Sequence, residues 1–268
     1  MVALLSAFFS PGASFMSARS TPRSIWIPLA FWFASIQALP IMAQDKAALA
    51  VAALTPEVQT AEWAKAWWMP RHTEKLKEKE ALQQVDMIWI GDSITHGWEN
   101  AGKATWDKYY ARRNPFNIGF SGDRTEQVLW RLANGEVDQL SPKVIVLMIG
   151  TNNTGHRKDP AEQTSAGIEA IVKELKTKMP QAKIVLLAIF PRGANSDDPL
   201  RQLNRQINER IAKLADQKQV YFQDIGSVFL DAQGNLSKEL MPDLLHPNEK
   251  GYQLWAEALE PTLAKWIP

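Results

Sequence analysis

A serine follows an apolar run in Ile90-Gly91-Asp92-Ser93, and a histidine lies three residues beyond an aspartate in Asp243-Leu244-Leu245-His246. A serine hydroxyl is a weak nucleophile until a base takes its proton. A neutral imidazole can be that base, and a carboxylate on its other nitrogen fixes the tautomer and stabilises the imidazolium. Acyl transfer also needs donors for the oxyanion of a tetrahedral intermediate. The backbone N–H groups of Ser93 and Gly122 and the side-chain amide of Asn152 are candidates. Gly122 precedes a helix start, which favours negative charge and close approach to the backbone. The chain contains no cysteine, so thiol nucleophiles, disulfides and Cys-ligated metals are excluded.

These residues are far apart in sequence and need a scaffold to meet. Five apolar runs rich in β-branched or aromatic residues predict strands at 85–91, 116–120, 143–150, 182–190 and 219–225. Helix-period segments lie between them, with Ile168, Ile171, Val172 and Leu175 on one face and Leu203, Ile207, Ile211 and Leu214 on another. Asp159 reads as an N-cap with Pro160 at the first helical position and Glu162 as the capping-box acid. Asp123 with Glu126 reads as a second box, and Gly135 as a stop. Continuous apolar strands alternating with helices predict an α/β fold around a buried parallel sheet. Right-handed crossovers then bring the strand C-termini, where ligands bind, to one edge. Ser93, Gly122 and Asn152 all follow strands, whereas Asp243 and His246 must be delivered by a loop before the last helix.

The 268 residues are 46% apolar and 22% charged, the profile of a globular protein, and the net charge of +1 gives no general attraction to nucleic acid or acidic lipid. Residues 1–43 read as a signal peptide: Arg19 and Arg23 precede a long apolar stretch, and Ile41 and Ala43 stand at −3 and −1 of a cleavage site before Gln44. Met16 is an alternative start. Pro28, Gln37 and Pro40 disfavour the other reading, an uncleaved anchor. Removal of this segment predicts a periplasmic or secreted product without stable membrane insertion. Residues 44–83 read as an N-terminal helical extension, and the Lys/Glu alternation from Glu74 to Glu80 as a solvated face. The 11 tryptophans are many for this length; beyond the two in the leader they should divide between the core and a substrate surface.

The segments "GDSITHGW", "NIGFSGDRT", "VIVLMIGTNN" and "DLLHPNEKGY" resemble, in order, the four blocks of the SGNH, or GDSL, hydrolase family. The chain is most similar to the branch holding the catalytic subunits of brain-type platelet-activating-factor acetylhydrolase and their bacterial relatives. The resemblance covers roughly residues 84–266 and implies a hydrolase domain at 84–268. The implied fold is a three-layer α/β/α sandwich, flavodoxin-like, with a five-stranded parallel sheet, and neither a metal nor an organic cofactor. It implies Ser93 as nucleophile, Asp243 and His246 as the rest of the triad, and Ser93, Gly122 and Asn152 as the oxyanion hole. Ile94 and Leu245, beside nucleophile and base, would line a short acyl pocket. The implied activity is a serine esterase acting on small acyl esters, most readily acetyl esters of small molecules, and the expected export would bring it to O-acetylated glycans such as sugars or plant-type polysaccharides. A lysophospholipase-like or ether-lipid esterase, an acyltransferase and a non-catalytic glycan-binding protein are the alternatives. Relatives pair, so a homodimer is compatible.

Several residues read more plainly. Asp92 supports the site by hydrogen-bonding nearby backbone. His156, after "GTNNTG", is a candidate substrate contact. His96, on the same short turn as Ser93, should point away from it, and His72 reads as surface. Arg124 and Arg131 read as ion-pairing groups. Tyr252, Trp255, Leu259, Leu263 and Trp266 form a core-facing stripe.

Overall fold

Strands β1 (Met87–Gly91), β2 (Pro115–Gly119), β3 (Val144–Met148), β4 (Lys183–Leu187) and β5 (Val220–Gln223) form one sheet in the order β2-β1-β3-β4-β5. All four pairings are parallel. The computed structural model describes residues 52–268; the expected targeting segment 1–43 and the start of the extension lie outside them. The strands occupy the predicted runs, trimmed at their ends. Only β2 shifts, by one residue, to begin at Pro115, which an edge strand tolerates at its first position because no ladder N–H is needed there.

Alternation along the strands divides two cores. Ile88, Ile90, Phe116, Ile118, Ile145, Leu147, Ile184 and Leu186 face one side. There they meet helices α1 (Trp68–Ala81), α4 (Thr125–Ala133), α5 (Ala161–Lys178) and α6 (Pro199–Ile211) through residues such as Trp68, Leu132, Ile171 and Ile207. Met87, Trp89, Val144, Val146, Val185 and Leu187 face the other side. The short helix α2 (Ser93–His96), α3 (Lys103–Tyr109) and α7 (Glu249–Leu263) cover it. This is the three-layer α/β/α arrangement. Tyr252, Trp255, Leu259 and Leu263 of α7 are all buried, and each apolar side chain of this size contributes about 1.5–3 kcal/mol by leaving water. Trp89, Trp98 and Trp255 pack ring against ring with no exposure, so the tryptophan excess is largely core.

Four local expectations need correction. His72 is not on the surface: it is buried, stacked on Trp68 and edge-on to Trp130. Lys75 leaves the solvated run and is buried, its ammonium held by Glu78 at 2.7 Å and Glu99 at 2.9 Å. Asp123 does not cap α4. Its carboxylate accepts from Trp68 Nε1 and Arg131 Nε, and α4 starts instead from Arg124, whose backbone N–H donates to Gln127 Oε1 at 3.0 Å. Asp159 does not cap α5, because it is buried on Arg157 and Asn153, and Pro160 takes the cap position. Trp130, Glu99 and Trp68 reach His72, Lys75 and Asp123 from elsewhere in the fold, whereas Asp159 is claimed by Arg157 and Asn153 just before it. Gly135 does follow the end of α4, at φ +87.

Candidate active site

The strand order reverses at β1: the chain steps from β1 to β2 on one side, then returns to β3 on the other. The crevice outside the C-terminal ends of β1 and β3 is therefore the topological switch point, where open α/β sheets bind ligands. Ser93 follows β1 and Asn152 follows β3, so both stand there.

Ser93 opens α2 two residues after its strand ends, and as first helical residue its N–H has no intrahelical acceptor. Asp92 caps the helix, its Oδ1 accepting from Ile94 N at 3.0 Å. Burial pushes the Asp92 carboxyl up to about 6, against that hydrogen bond and the fields of His246 and Arg192. A side chain at Gly91 would collide with Thr95 and the Met148 carbonyl, so glycine is what lets α2 fold back against the strand ends. Tyr252 of α7 donates its hydroxyl to the Ile94 carbonyl at 2.7 Å and pins the turn from below.

His246 arrives from the loop before α7. Its Nε2 lies 2.8 Å from Ser93 Oγ, and its Nδ1 lies 2.6 Å from Asp243 Oδ2. With the Nδ1–H donated to the carboxylate, Nε2 is left to accept the serine proton. The other Asp243 oxygen accepts from Leu245 N at 3.0 Å and His246 N at 2.8 Å. One carboxylate thus shapes the turn and aims the ring. Burial would raise the Asp243 carboxyl, but the His246 side-chain and backbone bonds hold it below its usual range. The turn closes only with Leu244 in the left-handed region at φ +60, a conformation that costs a non-glycine residue about 1–2 kcal/mol. Leu244 N–H to Met241 O and Gly193 N–H to Leu244 O, at 2.9 and 3.0 Å, hold it there.

Gly122 sits in the loop after β2 at φ +77. This loop is tied to β1 by Phe120 N–H to Gly91 O at 3.0 Å, and to the β3 side by Asn152, whose Nδ2 donates to Asp123 O at 3.0 Å. A carboxamide has two N–H groups, so Asn152 keeps a second donor while the first fixes its orientation. Ile94 is 1% exposed and packs in the same core as the half-buried Leu245, so the side chains next to nucleophile and base are apolar.

His96 points away from Ser93, with its Nδ1 3.0 Å from Ser121 Oγ; burial and Arg71 bring its pKa down to about 4, so it is neutral at neutral pH. His156 is exposed at the rim, edge-on to Trp63. Arg124 and Arg131 are ion-paired, with Glu126 and with Asp123 and Glu136 respectively.

Two features were missed in the sequence. Arg192, past the end of β4, donates Nη1 to Thr151 O at 2.9 Å beside Asn152, and its charge acts on Asp92. A basic residue just past a strand's C-terminal end was the available signal. Trp63, from the extension, packs on Gly122, where any Cβ would strike its ring. No local pattern places a residue on a loop nearly sixty positions away.

The model of the GDSL-like lipase/acylhydrolase family matches residues 89–254. The platelet-activating factor acetylhydrolase IB subunit alpha1 of Homo sapiens is 36% identical over 201 residues, covering 75% of this chain and 84% of that protein. A GDSL-like lipase from Bacteroides thetaiotaomicron aligns with TM-score 0.61 and 20% identity, over 72% of this chain and 97% of that one. An acetylxylan esterase from Geobacillus stearothermophilus aligns with TM-score 0.55 and 20% identity, over 69% and 96%. The two solved structures share the fold.

Proposed function

This chain belongs to the GDSL-like lipase/acylhydrolase family and is an ester hydrolase, and we propose that it removes acetyl groups from O-acetylated carbohydrate through an acetyl-serine intermediate. The observation that carries the mechanism is the unbroken relay from Ser93 Oγ to His246 Nε2 at 2.8 Å and from Nδ1 to Asp243 at 2.6 Å. Ser93 Oγ attacks the acetyl carbonyl carbon as its proton passes to His246 Nε2. The carbonyl oxygen becomes an oxyanion received by the Ser93 and Gly122 N–H groups and the free Asn152 amide hydrogen. Collapse breaks the ester C–O bond, and the leaving sugar oxygen takes the proton from His246. Water then gives a proton to His246 and its oxygen to the acetyl carbon. Acetate leaves and Ser93 regains its proton.

Ile94, next to Ser93, is all but closed to solvent and offers little apolar surface to a long acyl chain, which supports acetyl over longer chains. Export through residues 1–43 would bring the enzyme to extracellular or periplasmic polysaccharide, and the acetylxylan-directed activity of one fold neighbour is compatible with such a substrate. A second reading, a lipid acetyl esterase, is favoured by the 36% identity to the acetylhydrolase subunit. Acetate release from O-acetylated xylan oligomers and from acetylated ether phospholipid, with Ser93→Ala alongside, tests both. Faster turnover of the phospholipid, or rates that rise from acetyl to octanoyl esters, would replace the first reading with the second.

Asn152→Ala removes one oxyanion donor and should lower kcat by about 10²–10³ with KM little changed, because the donor acts where charge develops. The Asn152 side chain also ties the β2 and β3 loops through the same amide group, so Asn152→Asp, which loses both the tie and the oxyanion donor at unchanged size, should be at least as impaired, and the melting curves of the two variants show whether the loops have loosened. Steady-state rates on p-nitrophenyl acetate read both, and a fully active Asn152→Ala enzyme would remove Asn152 from the oxyanion hole.

A further inference from the structure

Trp63 is 51% exposed although it stands beside the oxyanion loop. An indole buries about 150–250 Å² when it is used as core; here half the ring is left to solvent. Its position is nonetheless fixed. Gln59 Nε2 donates to the Gly122 carbonyl at 3.3 Å, Ala61 N–H to Gln59 Oε1 at 3.1 Å, and Glu57 N–H to the Glu126 carbonyl at 3.2 Å. Trp67 donates its indole N–H to the Trp63 carbonyl at 3.1 Å. The next residue, Trp68, is wholly buried with its N–H on Asp123 at 2.6 Å. The segment from 57 to 68 is therefore stitched to the loop that carries Gly122 and presents two rings above it.

Those rings lie 6.1 Å apart and 31° from coplanar. His156 abuts Trp63 at one end and His96 abuts Trp67 at the other, each at about the same spacing. The ridge is aromatic along its top, while Glu62, Lys65 and Lys158 beside it are exposed and charged. The Trp63 indole N–H has no acceptor among the described residues. A rigid aromatic face with one free donor and a polar rim suits a ligand with an apolar C–H face and hydroxyls at its edge. A bilayer would have to accept the charged flanks as well as the rings. We propose that Trp63 and Trp67 form a stacking platform for the pyranose ring whose acetyl ester is presented to Ser93. This rests on the reading of the protein as a carbohydrate acetyl esterase and adds what positions the sugar.

The test compares, in the full chain, kcat/KM on an O-acetylated xylo-oligosaccharide with kcat/KM on ethyl acetate, which has no ring to stack. Trp63→Ala should lower the ratio of the two about tenfold, mostly through KM on the oligosaccharide, and Trp63→Phe should restore most of it. Trp63 is half exposed, so the variant should fold, and its melting curve checks this. In Ser93→Ala, titration with the oligosaccharide should shift tryptophan emission, and adding Trp63→Ala should remove the shift. An unchanged ratio with a parent active on the oligosaccharide overturns the platform alone. A parent that cleaves ethyl acetate but releases no acetate from the oligosaccharide overturns both the platform and the carbohydrate reading. A Trp63 effect confined to acetylated lipid in phosphatidylcholine vesicles overturns the platform in favour of a lipid contact.

Discussion

Ser93→Ala should lower ester hydrolysis by about 10⁶-fold, His246→Ala by a similar factor, and the double variant by no more than either alone. Non-additivity is the informative part. In the proposed mechanism the hydroxyl and the imidazole, 2.8 Å apart, act as one unit: without the base the hydroxyl would keep its proton, and without the hydroxyl the base would have nothing to activate. What survives both losses is the oxyanion hole and binding alone, about 10³–10⁴ over water. Asp243→Asn should lower kcat by about 10⁴: if an amide oxygen keeps the Oδ1 contacts to the two backbone N–H groups, the NH2 group faces His246 Nδ1, the ring proton moves to Nε2 and no acceptor is left for the serine proton. The check is a rapid-quench experiment with p-nitrophenyl acetate followed by mass spectrometry. The parent should carry one acetyl group on the peptide containing Ser93, and no single or double variant should. Independent losses that multiply would mean that Ser93 and His246 do not share a step, whatever their separation.

The residues that could be read in the sequence are those whose role depends on local pattern. Ser93 was legible because it ends an apolar strand, and Asp243 with His246 because three residues of spacing make a turn. Asn152 and Gly122 follow strands whose ends had to converge once the sheet was parallel. The five strands were visible because a sheet covered on both faces needs continuous apolar runs. What escaped was set by contacts across the fold. Nothing near His72 announces that Trp68 and Trp130 enclose it. Asp123 has the composition of a helix cap, but Arg131 and Trp68 claim its carboxylate. Lys75 belongs by pattern to a charged stripe, and only the approach of Glu99 from the loop after α2 draws it inward. Trp63 lies outside every recognisable block and meets Gly122 only because the chain folds back over the sheet edge. Composition led to the expectation that the tryptophans divide between the core and a substrate surface; Trp89, Trp98 and Trp255 lie in the core and Trp63 is exposed.

The same buried charges support the second large expectation: Arg131→Ala should destabilise the fold by about 3–5 kcal/mol, because it strands carboxylates that have left water. Arg131, Asp123 and Glu136 are all fully buried. The guanidinium donates Nε to Asp123 at 2.9 Å and Nη1 to both the Ile118 carbonyl and Glu136, and it lies over the Phe120 ring at 4.1 Å. Burial pushes the Asp123 carboxyl up to about 7, while Arg131 and the Trp68 N–H favour its ionised form. Removing the cation leaves Asp123 and Glu136 without the guanidinium, and the nearby His72 ring, 3.8 Å from Glu136, makes no hydrogen bond that could replace it. For a chain of this size the loss should lower Tm by roughly 6–20 °C, read by calorimetry. The damage should also reach the chemistry, since Asp123 follows Gly122 and its carbonyl orients Asn152. kcat on p-nitrophenyl acetate should therefore fall at temperatures where the variant is still folded. Combining Arg131→Met with Asp123→Asn and Glu136→Gln removes every charge while keeping similar volume, and should recover much of the stability. If Arg131→Ala melted within about 1 kcal/mol of the parent, the trio would not be paired in the dry core, and the support assigned to the oxyanion loop would have to come from elsewhere.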